Sequence, residues 1–206
     1  MSVAVQVGDA SERDLKDVYP GLAALITQDE IATGAIAGEI AIELVPGGGQ
    51  VAIVEGAAGF PENTTRVQEF TTVVEAAGFE IVASQPGDWV PDVAQATCQN
   101  LITANPDLVL IYALSDDMAA GCGEATEAAG VDVKIVGVGG SSLGIDAITD
   151  GAVAGTVCYQ PVAMGETALQ AMVDLLTGAA TFEGDFVSYL TPGITAENLD
   201  ECVPQW

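Results

Sequence analysis

Apolar residues run along this chain in two alternating rhythms. Short, nearly unbroken apolar runs lie at 50–55 (QVAIVE), 79–83, 108–112, 133–136 and 154–158. Between them lie longer segments whose apolar positions recur at three- and four-residue spacing. Short runs of this kind fit strands buried on both faces, and the amphipathic segments between them fit crossover helices. Helices are predicted at 27–45, 61–77, 92–104, 115–129 and 142–149. Their ends carry physical signals. Thr27 and Glu30 have the spacing of a capping box, Pro61 suits a first helical turn, and Pro46, Gly78, Asn105-Pro106 and Gly130 act as stops. The pattern predicts an α/β fold: a doubly wound parallel sheet, layered helix–sheet–helix, with right-handed crossovers. A β-like run at 3–7 precedes it. After it come an amphipathic helix at 161–176 stopped by Gly178, a strand-like FVSYL, and a turn at Thr191-Pro192-Gly193.

Charge narrows the partners. The chain has 206 residues, with 4 Lys+Arg against 30 Asp+Glu and a formal net charge of -26. Such a surface repels phosphate backbones and anionic membranes, so nucleic acid is excluded as a partner. It fits an acidic exported protein or one adapted to high salt, where screening relieves self-repulsion. No apolar run reaches the roughly 18 residues of a membrane span, and the first residues lack the basic start and apolar stretch of a signal peptide. Four cysteines, Cys98, Cys122, Cys158 and Cys202, form no C-x-x-C pair, so no metal site is indicated. From spacing alone they are two disulfides in any of three pairings, or four thiols.

Ligands of open α/β sheets sit outside the carboxyl ends of the strands. That rule nominates loops 55–61, 84–91, 113–117, 137–142 and 159–161. Phe60 lies in the first of them, and Trp89 offers a stacking face for a sugar or a cation. Arg66, in the helix behind the first loop, offers a fork for two ligand oxygens, or else an ion pair with a neighbouring Glu. Ser115 and Asp116 are ligand acceptors, or simply a helix cap and a dipole partner. The glycines at 137, 139 and 140 lack the lysine of a phosphate loop, so Gly139 marks close backbone approach rather than a nucleotide. Gln160 ends the last strand unit. With no histidine and no nucleophile–base pair, catalysis is not expected and no cofactor is implied.

The stretches TQDEIATGAIAGEIA, QVAIVEG, TRVQEF, ANPDLVLIYALSDDMAAG, VKIVGVGG, DAITDGAVAGTVCYQPVAMGETALQAM and LTPGITAENLDE together resemble the type I periplasmic sugar-binding proteins, the ribose- and galactose-binding group. Their fold is shared by the effector domains of LacI-type repressors. The resemblance implies two lobes closing on a ligand about a three-strand hinge. It divides the chain into 1–26, a remnant of the first lobe and hinge; 27–160, the second lobe; and 161–206, a hinge-crossing helix, strand and tail. It implies sugar-clamping by Arg66, stacking by Trp89 and a hinge-side contact by Gln160, with Ser115 replacing an asparagine and Gly139 an aspartate. It implies a sugar or polyol ligand, an ABC transporter permease as partner, and a periplasmic or extracellular location. That location in turn implies disulfides, Cys98–Cys122 and Cys158–Cys202. The competing expectation is a regulatory module that self-associates through Val162, Leu169, Val173 and Leu176 of helix 161–177.

Overall fold

A computed structural model describes residues 2–4, 21–189 and 191–206. The main sheet is built from β3 (Gln50–Glu55), β4 (Glu80–Pro86), β5 (Leu108–Ala113), β6 (Lys134–Gly139), β7 (Gly155–Cys158) and β9 (Gly193–Thr195). Its order is β4-β3-β5-β6-β7-β9, parallel except where β9 runs antiparallel to β7. The alternating helices are α1 (Glu30–Leu44), α2 (Pro61–Ala76), α3 (Pro91–Ala104), α4 (Asp116–Ala129) and α5 (Ser142–Thr149). From β3 the chain steps outward once to β4, then back past β3 to β5, β6 and β7. Right-handed crossovers therefore put α1 and α2 against one face and α3, α4 and α5 against the other. The expected doubly wound sheet is present.

The core explains why these strands carry no polar alternation. Val51 to Val54, Leu110 to Leu114, Ile135, Val136 and Val157 are sealed between two helical layers, with Phe70 and Met118 closing them from either side. At roughly 25 cal/mol per Å² of apolar surface buried, such runs supply most of the drive to fold. Cys98 of α3 is joined to Cys122 of α4, and Cys158 at the end of β7 to Cys202, the pairs the resemblance implied.

A second, smaller sheet is made of β1 (Ser2–Ala4), β2 (Leu22–Ile26) and β8 (Asp185–Val187), all parallel in the order β1-β2-β8. The helix α6 (Pro161–Thr177) covers it, seating Ala168 and Ala171 on Ala24 and Ile26. Among the described residues the chain passes between the two sheets three times: at 27–29, at 159–160 and after β8. The run expected at 3–7 is a strand only as far as it is described; residues 5–7 lie outside the described residues.

Several boundaries differ from expectation. The first helix begins at Glu30, because Asp29 and not Thr27 is its cap: Asp29 Oδ1 accepts from the amides of Ile31 and Ala32 at 3.1 and 3.2 Å. An aspartate carboxylate directly before the helix reaches its first free amides, which a hydroxyl two residues further out does not. The β4 strand continues through Ser84 to Pro86, carried by its pairing with β3. The β2 strand has no counterpart among the predicted elements.

Candidate ligand site at the carboxyl edge

The loop at the carboxyl end of β3 is pinned to the start of α2 by one buried side chain. Asn63 of α2 accepts from the Gly56 amide at 2.9 Å and donates to the carbonyls of Gly56 and Ala57 at 3.0 and 2.9 Å. Trp89 lies so close over Gly56 that a Cβ there would sit 1.9 Å from the indole. Only glycine tolerates that approach. Asp88 and Trp89 both adopt left-handed backbone, at φ 55° and 63°. For a bulky residue this conformation costs on the order of 1–3 kcal/mol and persists only where surroundings impose it. The strained turn fixes the indole, and Phe60 meets it edge-on, with centroids 6.0 Å apart and planes at 86°. Phe60 is 47% exposed, an aromatic rim at the mouth of the edge. A hollow of about 680 Å³, lined in part by Glu55, Phe60, Thr64 and Gln68, opens beside it.

In the middle of the edge, Ser115 caps α4 by accepting from the Met118 amide at 3.2 Å. Asp116 turns inward. Its Oδ2 accepts from the Ser141 amide and hydroxyl at 2.8 and 3.0 Å, and its Oδ1 from the Thr156 hydroxyl at 2.6 Å. Burial raises its pKa, and those three hydrogen bonds oppose the rise without cancelling it. Gly139 stands directly beneath: a side chain there would come within 2.7 Å of Asp116 Oδ2. The carboxylate that the resemblance puts at position 139 therefore has no space here.

Arg66 takes the second of its two readings, the ion pair with a Glu, though buried and not at the surface. It is 6% exposed, and its fork is not free for a ligand. Its Nε and Nη2 donate to Glu30 at 2.6 and 3.1 Å, and its Nη1 to the Leu114 carbonyl at 2.9 Å. Glu30 also accepts from the Tyr159 hydroxyl at 3.0 Å and from the Gln28 amide at 2.8 Å. Burial pushes the Tyr159 phenol well above its ordinary value, which keeps it a neutral donor. The pair thus ties α2 and the end of β5 to two of the inter-sheet connections, at Gln28 and Tyr159. Gln160 leads into α6, and its side chain makes no cap bond to that helix.

Of the residues named from sequence, Phe60 and Trp89 come together, and Ser115, Gly139 and Gln160 lie along the same edge. Arg66 and Asp116 are turned into the framework. Sequence reasoning missed Asn63, and it read Glu30 only as a cap partner. The Arg66 partner lies 36 residues away in sequence, a separation no local pattern reveals. Among the described residues no group of three or more His, Cys, Asp or Glu is placed to hold a metal ion.

A model of the periplasmic binding protein domain family matches residues 16–180. The ribose import binding protein of Salmonella typhimurium is 33% identical over 154 residues, covering 74% of this chain and 52% of its own. The D-allose-binding periplasmic protein of Escherichia coli is 34% identical over 165 residues, covering 78% and 53%. The chain thus spans about half the length of the curated relatives it matches. Among solved structures, a periplasmic solute-binding protein from Actinobacillus succinogenes with bound D-allose has a TM-score of 0.81 at 24% identity, covering 97% of this chain and 69% of that one. The Caulobacter myo-inositol-binding protein, bound to myo-inositol, has a TM-score of 0.78 at 25% identity, covering 97% and 67%. The fold, its carboxyl-edge loops and these matches together mean that the chain belongs to the type I periplasmic binding proteins of the ribose and galactose group.

Proposed function

We propose that this chain binds a sugar or polyol at the carboxyl edge of its main sheet and does no chemistry on it. The observation that carries the proposal is the Phe60–Trp89 pair, with Trp89 fixed by a strained turn. A pyranose or cyclic polyol has an apolar face that stacks on an indole and a rim of hydroxyls that needs donors and acceptors. Trp89 and Phe60 supply the first; Ser115, Gln160 and the backbone at Gly139 supply the second. Asp116 and Arg66 act one layer behind, fixing the loops. The names of the relatives, ribose import, D-allose and xylitol binding, support this ligand class.

In the whole protein, closure of two lobes about the three inter-sheet connections would present the loaded form to an ABC permease. The two disulfides fit a periplasmic or extracellular site of action. Calorimetry against D-ribose, D-allose, xylitol and myo-inositol tests the binding claim. We expect heat with at least one of them, and a fall in affinity of about tenfold when Trp89→Ala removes the stacking face. Binding that Trp89→Ala leaves unchanged would remove the aromatic pair from the site.

One observation favours a second role, self-association. The outer stripe of α6 exposes Val162 at 58%, Leu169 at 60%, Val173 at 44% and Leu176 at 76%. A contiguous apolar stripe of that kind favours association. Light scattering reads it directly: a dimer supports the interaction module, and a monomer argues against it.

A further inference from the structure

We propose that the segment 203–206 is a strap across the carboxyl edge and that Trp206 is a ligand-contacting, specificity-determining residue. The proposal rests on the sugar- or polyol-binding function proposed above and adds to it a residue outside the strand-end loops.

Three anchors hold the strap, each on a different element. The disulfide from Cys202 to Cys158 fixes its base to the end of β7. The Gln205 side chain reaches the start of α6, where its Oε1 accepts from the Val162 amide at 2.7 Å. The main-chain carbonyl of Trp206 lies at the start of α5, accepting from the Ser142 amide at 3.0 Å and its hydroxyl at 2.8 Å. Residues 205 and 206 therefore bridge the loops that follow β6 and β7, two of the five loops nominated for the ligand. The turn beneath is shaped for the same attachment: Gly140 has φ +67°, and a Cβ there would meet Cys202 Sγ at 2.6 Å and Cys158 Sγ at 2.7 Å.

The strap fixes the main chain of Trp206 and leaves the residue 52% exposed. Holding a tryptophan half in water by three separate attachments gains nothing for the core. It is what a preorganised contact residue requires. Phe60 and Trp89 stand over β3 and β4, Ser115 follows β5, and the strap lies beyond β6. The loop of Trp89 and the anchor of Trp206 are thus about three strand spacings apart, about 14 Å. An interval of that size is wider than the ~7–8 Å of a ring stacked on both faces, and fits a sugar ring whose face lies on Trp89 and whose far edge meets Trp206 at about 3.5–4 Å. The preferred ligand is then a cyclic polyol or pyranose with one apolar face, and the strap is anchored on the loop that follows Gly139, where the carboxylate implied by the resemblance is lacking.

The test is calorimetry of the full chain with D-allose and myo-inositol, on wild type, Trp206→Ala, Trp206→Phe and the double variant Cys158→Ser/Cys202→Ser. We expect Trp206→Ala to weaken binding about tenfold and Trp206→Phe to retain most of the affinity. The double serine variant, with its strap released, should fall in the same direction as Trp206→Ala. Far-ultraviolet circular dichroism confirms that each variant keeps its fold. Unchanged affinity in both Trp206→Ala and the serine variant, with Trp89→Ala still weakened, overturns the strap and leaves the sugar-binding function standing. Absence of binding in the wild type overturns both.

Discussion

Arg66 is one of four cations in the chain, and its rarity alone marked it as a residue with a task. Its location in the helix behind a ligand loop was legible; the direction of its side chain was not, because that depends on Glu30 arriving from another helix. Taking a charge out of water costs several kcal/mol unless its partner goes with it. Arg66→Leu should therefore destabilise the fold by about 3–5 kcal/mol, since Glu30 is left buried and uncompensated. The double change Arg66→Leu/Glu30→Leu should cost clearly less than the two single changes added together. Urea unfolding of the four proteins measures this.

Asp116 gives a prediction of opposite character. Burial raises its folded pKa above the unfolded one, so between the two values the native state binds more protons. Its contribution to stability therefore falls as pH rises from about 3.9, the ordinary aspartate value, through the raised folded pKa. Asp116→Asn cannot ionise. The stability of wild type relative to this variant should drop across that window and be flat above it. Thermal melts in a pH series read the difference, and a relative stability that rises with pH would contradict the account.

At the scale of elements, every helix flanking the main sheet was legible, because each strand is a short apolar run and each helix carries its own stop. The β2 strand was missed for a physical reason. Leu22–Ile26 runs into the helix cap with no glycine or proline between, and its partner β8 follows about 160 residues later. The β9 strand was missed as well; it is three residues long and is made a strand by pairing with β7. The disulfides stitch these elements. Replacing either pair with serines should cost about 2–4 kcal/mol. The Cys158–Cys202 pair spans 44 residues against 24 for Cys98–Cys122, so the chain-entropy account predicts the larger loss for Cys158–Cys202. Guanidinium unfolding of the two double variants, with intact mass before and after reduction, checks both the magnitudes and the pairing.

At the scale of the whole molecule, two mainly parallel sheets of unequal size share one chain, which passes between them three times among the described residues. Glu30 gathers Arg66, Tyr159 and Gln28 around two of those connections, so both are tied to the main sheet's helices by hydrogen bonds to one buried ion pair. The acidic surface sets what the open edge meets: neutral hydroxylated solutes approach freely and phosphorylated ones are repelled. The edge itself was legible from strand order alone, whereas the inward turn of Arg66 and Asp116 and the strap at 203–206 depend on contacts across the fold. The most direct measurement is an NMR titration of backbone amides with D-allose and myo-inositol at millimolar concentration. The account predicts shifts concentrated at residues 56–60, 87–90, 114–115, 139–142, 159–160 and 205–206. Shifts confined to the opposite end of the sheet, around 131–134 and 150–154, or no shifts with either ligand, would contradict it.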